Sequence, residues 1–341
     1  MLRRDIKDYH FRADAHTGLT MRWGKTLHDN PSWAPVPELA DLSISNHCSK
    51  ECAYCYRESA RNNDFLSVND YCKVLDAMRH PEYGNVFQVA IGGGEPLEHP
   101  DFVKIIDATL ERGIVPNFTT NGIFLTEDVC RAIQGKVGAV ALSVTSVTEL
   151  QEEKIAMLRK YTIRTNIHYV LSAKNIEEAI EIVSGKYEAH FAGVNAIIFL
   201  TYKPAGRGTK EDALRRGEQL DRFVKMVNAH QNKGLKIGFD ACFVPNLLHA
   251  GFGRPELVDV CEAGYFSVYV DHKMNVSPCS FSGGRDAWSL KEYDFYDIWV
   301  NMFKGYRNRQ QNRCEHNDCV AHEVCRGCCP YYPQITTCYD N

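Results

Sequence analysis

No apolar stretch in these 341 residues approaches the roughly 20 residues that a membrane-spanning helix needs. The opening "MLRRDIKDYHF" carries basic residues, but the apolar segment that would make them a secretory signal does not follow. Long runs of like charge, internal repeats and low-complexity tracts are also missing, and the formal net charge is only −4. These absences argue against membrane and nucleic acid as partners, and the expectation is a soluble, cytoplasmic protein. The apolar fraction of 44% is ordinary, so a sizeable core can be buried.

What the chain has in excess is cysteine, 14 in all. A reducing cytosol does not sustain a disulfide framework, and thiolates there more often hold metal. Three stand at 48, 52 and 55, Cys72 and Cys130 stand alone, and nine lie between 242 and 338. Two metal-binding regions therefore bracket a long stretch almost free of cysteine. The isolated Cys72 and Cys130 sit among apolar residues at helical spacing and read as buried structural thiols.

Residues 9–23 alternate around an "HTG" turn and read as a hairpin, and the proline-rich segment that follows reads as a linker. From residue 40 onward, strand-like segments at 40–46, 86–92, 114–120, 136–144, 163–171 and 193–200 alternate with helical patterns. Ser67 is a candidate N-cap, and Pro100 and Gly113 bracket a second helix. Such alternation gives βαβ units and a parallel sheet. Six units predict an α/β fold, a partial (β/α)6 TIM-type barrel, over 38–240, after an N-terminal hairpin and linker at 1–37. Beyond about 240 the rhythm stops and cysteine becomes dense, which predicts a small C-terminal domain at 241–341 held by metal rather than by its own core.

The first strand runs straight into "CSKECAYC", a Cys-x3-Cys-x2-Cys loop at the strand's C-terminal end, the end where barrels of this kind carry chemistry. Three thiolates can hold three irons of a four-iron cluster and leave the fourth open. Zinc is the alternative, with His47 beside the loop as a further ligand. The motif, with Tyr54 just before its third cysteine, resembles the signature of the radical S-adenosylmethionine (radical SAM) enzymes. The segments "GGGEP" (92–96), "TTNG" (119–122), "LSV" (142–144) and "KPAGRG" (203–208) follow at the same ends of successive strands, as they do in that family.

The resemblance implies a [4Fe–4S] cluster on Cys48, Cys52 and Cys55, with S-adenosylmethionine chelating the open iron. Reductive cleavage then yields a 5′-deoxyadenosyl radical that takes a hydrogen atom from the substrate. It also implies S-adenosylmethionine contacts from Tyr54, Gly93, Gly94, Glu95, Asn121 and Ser143. The glycines would let backbone approach the methionine amino group, and Glu95 would accept a hydrogen bond from it. Arg164, Asn166 and His168 on the fifth strand are further candidates for carboxylate and ribose contacts, with core hydrogen bonding as the plainer reading.

The cysteine-rich tail resembles the SPASM extension, the auxiliary-cluster domain of many peptide-modifying members. Carried over, the pattern implies one or two auxiliary [4Fe–4S] clusters. One would use Cys261, Cys279 and Cys329, with Cys242 as a possible fourth ligand. The other would use Cys314, Cys319, Cys325 and Cys338, with Cys328 spare. Zinc is again the alternative. Two departures stand out: four residues separate Cys314 from Cys319 where two are usual, and Met274 occupies a turn position that normally holds glycine. Either that turn differs, or one cluster is altered or missing. Cys242 and Cys328 are candidate hydrogen donors if unligated.

The resemblance implies a peptide or protein substrate, undergoing cross-linking, epimerisation or another maturation step, and an electron donor such as a flavodoxin or ferredoxin. Sulfatase-type oxidation is not expected, because Ser280 rather than an aspartate follows Cys279 and serine is a poor base unless activated. The residues ahead of the barrel are too few for a leader-binding domain. Either a separate protein delivers the peptide, or no leader is needed. The rival readings are a radical SAM enzyme acting on a small molecule such as a tetrapyrrole precursor, and a non-enzymatic zinc module.

Overall fold

In the computed structural model, residues 1–230, 235–250, 258–310, 325–327 and 329–336 are described. The chain opens with three antiparallel strands, β1 (Leu2–Ile6), β2 (Tyr9–Ala13) and β3 (Thr20–Trp23), in that order. The expected hairpin is β2–β3. The additional β1 escapes a hydrophobicity pattern because one of its inward residues is Arg4, buried to 2% exposure with its guanidinium donating to the carbonyls of Val36, Pro37 and Asn85.

Six βα units follow. They are β4 (Leu39–Ser43) with α1 (Val68–Ala77), β5 (Gln88–Gly92) with α2 (Phe102–Glu111), and β6 (Val115–Thr120) with α3 (Glu127–Ile133). Then come β7 (Val140–Val144) with α4 (Glu152–Lys160), β8 (Thr165–Leu171) with α5 (Ile176–Ser184), and β9 (Ala196–Thr201) with α6 (Glu218–Ala229). The helix signals are used as read: the Ser67 hydroxyl accepts from the Asp70 amide at the start of α1, and Gly113 follows α2 with φ +69°. Strands β4 to β9 lie side by side in chain order, all parallel, as an open partial barrel.

The sheet extends past both expected edges. A seventh parallel strand, β10 (Lys236–Phe239), pairs with β9. It is short and interrupted by Gly238, where a Cβ would meet Ile198 Cδ1 at 2.7 Å, so little periodicity betrays it. A short helix, α7 (Val244–His249), follows. On the other side β11 (Ser267–Val270) joins β4 in parallel, and β12 (Asn275–Ser277) and β13 (Trp288–Ser289) continue the sheet antiparallel. A last helix, α8 (Phe303–Gln310), follows.

Val268, Val270, Val276, Trp299 and Phe303 belong to the same buried cluster as the barrel's Ile91, Phe118 and Ile167. These residues of the C-terminal region thus share the barrel's core. The β11–β12 turn keeps the left-handed backbone that glycine would favour: Met274 stands at φ +70°, with its side chain buried and the Asp271 carboxylate bracing the turn. Among the described residues, no helix is long and apolar enough to cross a membrane.

Candidate functional site

Strand side chains alternate between faces. One set, such as Leu42, Val89, Ile91, Phe118 and Ile167, is buried with residues of the surrounding helices. The other set faces inward and is small or polar: Asp41, Ala90, Gly92, Thr119, Ser143 and His168. Small residues on the inner face leave a cavity of about 440 Å³ at the C-terminal mouth of the barrel. Cys48, Cys52, Cys55, Tyr54, Gly93, Gly94, Glu95, Asn121 and Ser143 all line it.

The cysteine loop is fixed from beneath and from the side. His47 cannot serve as a fourth ligand, because its Nδ1 accepts from the Asn63 amide and its Nε2 bonds Glu98 at 3.2 Å. The "KPAGRG" segment clamps the loop. Arg207 donates from Nε to the Cys52 carbonyl at 2.8 Å, from its amide to that of Cys55, and from both terminal nitrogens to that of Ser59. At Gly206, φ +57°, a Cβ would come within 2.6 Å of the Cys55 and Tyr56 carbonyl oxygens.

The Gly92–Glu95 turn serves the protein as well as the cavity. A Cβ at Gly94 would stand 1.8 Å from the His47 carbonyl oxygen, and one at Gly93, φ +125°, would stand 2.4 Å from that of Ser45. These two glycines let the turn pass under the root of the cysteine loop. Gly92 is the one whose Cβ would meet no protein atom within 4 Å. Glu95, 2% exposed, accepts from the Leu97 and Asn121 amides and the Thr120 hydroxyl, so it ties the mouth of β5 to that of β6. Burial pushes its carboxyl up to about 7. Tyr54 is pushed up by burial and by the neighbouring Cys52 thiol.

The opposite half of the cavity is aromatic and charged, lined by Tyr56, Tyr202, Tyr269 and Phe281 with Asp41, Lys203 and Asp240. Lys203, 6% exposed, donates to Asp240 at 2.8 Å and to the Thr201 carbonyl at 2.9 Å, and its ammonium lies 4.4 Å from the centre of the Phe281 ring. Burial would lower its pKa, yet Asp240 holds it above the ordinary lysine value. Asp41 lines the cavity with Ser280, and burial raises its carboxyl to about 6 against the lowering effects of Arg57 and Ser280. The residue after Cys279 is thus a serine with a carboxylate supplied from β4. Sequence reasoning missed Asp41. The available signal was an acidic residue at an inward position of a strand.

A second, smaller cavity of about 30 Å³ is lined by Cys242, Cys261 and Cys329 among others. Cys279 adjoins it, with the Phe281 amide donating to its Sγ at 3.4 Å. Cys261 interacts with Cys329, Cys279 with both, and Cys242 with Cys261 and Cys279. Burial raises Cys261 to about 11 and Cys279 to about 12. Thiols gathered and desolvated in this way carry no charge by themselves, and they become good ligands once a cation offsets the thiolates. Four thiols gathered without histidine or carboxylate are a donor set of the kind that iron–sulfur clusters take.

Other expected residues lie elsewhere. Asn166 lies on the same side of β8 as His168 but deeper, towards the N-terminal end, and Arg164 is exposed just ahead of the strand. Arg164 donates to the carbonyls of His16 and Thr17 at the tip of the β2–β3 hairpin, and Asn166 accepts from Asn195. Cys130 is fully buried in the core, and Cys72 is half-buried. Cys325 packs beside Val244 and Leu248. Cys314, Cys319, Cys328 and Cys338 lie outside the described residues.

The fold is thus an open parallel barrel with a three-thiol loop at its mouth. Residues 42–187 match the Radical SAM superfamily: the chain carries a radical SAM domain, the kind that works with a [4Fe–4S] cluster and S-adenosylmethionine. It is similar to the PqqA peptide cyclase of Gluconobacter oxydans, 26% identical over 300 residues and covering 80% of each chain. It is also similar to the mycofactocin maturase MftC of Mycobacterium tuberculosis, 23% identical over 327 residues, covering 87% of this chain and 78% of that one. Among solved structures, Streptococcus suis SuiB bound to precursor peptide SuiA superposes with a TM-score of 0.69 at 17% identity, over 87% of this chain and 72% of that one, a likeness of fold.

Proposed function

We propose that this enzyme modifies a ribosomal peptide by hydrogen-atom abstraction, with residues 38–240 as the radical SAM barrel and 241–341 as a SPASM-type auxiliary region after the N-terminal 1–37. The observation that carries the reading is the arrangement of one continuous cavity. The three-thiol loop lines one half, and the wall of the other half, Ser280 and Phe281, is the segment that leaves Cys279 of the second thiol set. The kinds of protein named among its relatives, a peptide cyclase and a maturase, support a peptide substrate.

In this reading Cys48, Cys52 and Cys55 hold the cluster, and Tyr54, Gly92, Gly93, Gly94, Asn121 and Ser143 surround S-adenosylmethionine. When bound, these groups supply the 5′-deoxyadenosyl radical. The protein's own part is orientation and exclusion of water. Arg207 and Gly206 fix the loop, and Glu95 holds the β5 and β6 mouths together. Tyr56, Tyr202, Tyr269 and Phe281 wall the half where the substrate residue would lie. Cys242, Cys261, Cys279 and Cys329 hold an auxiliary cluster. An external reductant and a protein that delivers the peptide complete the system.

The test is anaerobic reconstitution with iron and sulfide analysis, then co-expression with peptides encoded beside the gene and mass analysis. The expected result is 5′-deoxyadenosine with a mass change in one peptide. Unchanged peptides, with 5′-deoxyadenosine formed instead on a tetrapyrrole precursor, would overturn the peptide assignment. Zinc in place of iron and sulfide would overturn the chemistry.

A further inference from the structure

Lys203 is the one buried lysine among the described residues, and it lines the cavity that the three-thiol loop lines. It follows β9 and lies over Phe281, whose amide bonds Cys279. Its ion-pair partner Asp240 directly follows β10, two residues before Cys242. The pair is asymmetric: the Asp240 carboxylate also accepts from the Thr201 hydroxyl and the Phe243 amide, while the Lys203 ammonium lies over Phe281, whose amide donates to the Cys279 Sγ. The carboxylate is thus held by two further donors, and the ammonium is the end directed at the Cys279 segment. Its partners already fix it without any cofactor, so its placement is not an accident of a flexible side chain.

We propose that Lys203 raises the reduction potential of the centre held by Cys242, Cys261, Cys279 and Cys329 and so sets it to accept electrons. The inference rests on the reading that these thiols hold an iron–sulfur cluster. Reduction adds one negative charge to such a centre. A buried cation close by stabilises the reduced form in a medium that screens little. Oxidation of a substrate radical would move one electron to this centre, reducing it by one, and one proton to a base, for which the Asp41 carboxylate beside Ser280 is at hand. The substrate then loses two hydrogens in total, one as an atom and one as electron plus proton. The device thus favours oxidative bond formation over epimerisation, which returns a hydrogen atom and needs no acceptor.

The test is an anaerobic redox titration followed by electron paramagnetic resonance. It uses full-length protein carrying Cys48→Ala, Cys52→Ala and Cys55→Ala, so that only auxiliary signals remain, with iron and sulfide counted in each preparation. Lys203→Met is expected to lower one auxiliary midpoint by at least tenfold in the reduction equilibrium, about 59 mV for one electron. Asp240→Asn, which leaves the ammonium uncompensated, is expected to raise the same midpoint, and Lys203→Arg to leave it near the parent value. If Lys203→Met does not take up iron, the rise in Asp240→Asn and the retention in Lys203→Arg decide the matter. Midpoints that stay put, or that move the same way in both single variants, overturn the role of Lys203 while leaving the cluster in place. Absence of any iron–sulfur signal in the parent overturns the ligand assignment and this inference with it.

Discussion

At the scale of single residues, Asp41 carries the sharpest consequence. It lines the cavity with Ser280, and burial, which disfavours its charge, raises its carboxyl to about 6. A carboxylate in that range is ionised at neutral pH and still basic enough to take a proton, which suits general base catalysis. Its ionised fraction falls as pH falls through about 6. Product formation in the wild type should therefore decline on the acid side of that value. Asp41→Asn should lose at least tenfold in product, while 5′-deoxyadenosine formation holds within about twofold. Parallel loss of both would place Asp41 on the cofactor side instead. The same scale shows where sequence reading ran out. Cysteines, glycines and Ser143 were legible because they recur at strand ends in a known order. Asn166 was not, because a polar residue on an inner face reads alike whether it stands at the mouth or two residues deeper.

Among the elements, the glycine turn after β5 separates two demands that the motif "GGGEP" states as one. Gly94 is excluded from bearing a Cβ by the His47 carbonyl, whereas Gly92 borders only open cavity. Gly94→Ala should force the turn off the cysteine loop. The expected cost is about 1–3 kcal/mol in denaturant titration, with loss of loop iron while auxiliary iron stays. Gly92→Ala should leave stability within about 0.5 kcal/mol and weaken S-adenosylmethionine binding, measured by equilibrium dialysis. Equal destabilisation by both changes would count against the distinction. The turn at Met274 makes the converse point: the expected glycine is absent, yet the left-handed backbone is kept. The buried methionine side chain and the Asp271 brace offset a penalty of about 1–2 kcal/mol, a tertiary compensation that no local pattern announces.

For the whole molecule, the six βα units and their order were readable from periodicity alone, but the limits of the sheet were not. Strand β11 adds to β4 through pairs such as Val268 with Ala40 and Val270 with Leu42, and its Val268 and Val270 are each 1% exposed. Residues far apart in sequence therefore complete one core. Without β11, β4 would become the bare edge of a parallel sheet, with apolar faces and unpaired backbone groups open to association. A chain ended at residue 250 should lack a cooperative thermal transition and elute as aggregate in size-exclusion chromatography, even though every βα unit is present. A full-length protein with the auxiliary cysteines Cys261, Cys279 and Cys329 changed to Ala should, by contrast, keep its transition and the loop iron. A monodisperse, cooperatively unfolding 1–250 fragment would show that the barrel closes its own edge, and that the C-terminal region is a separate body added for its metal.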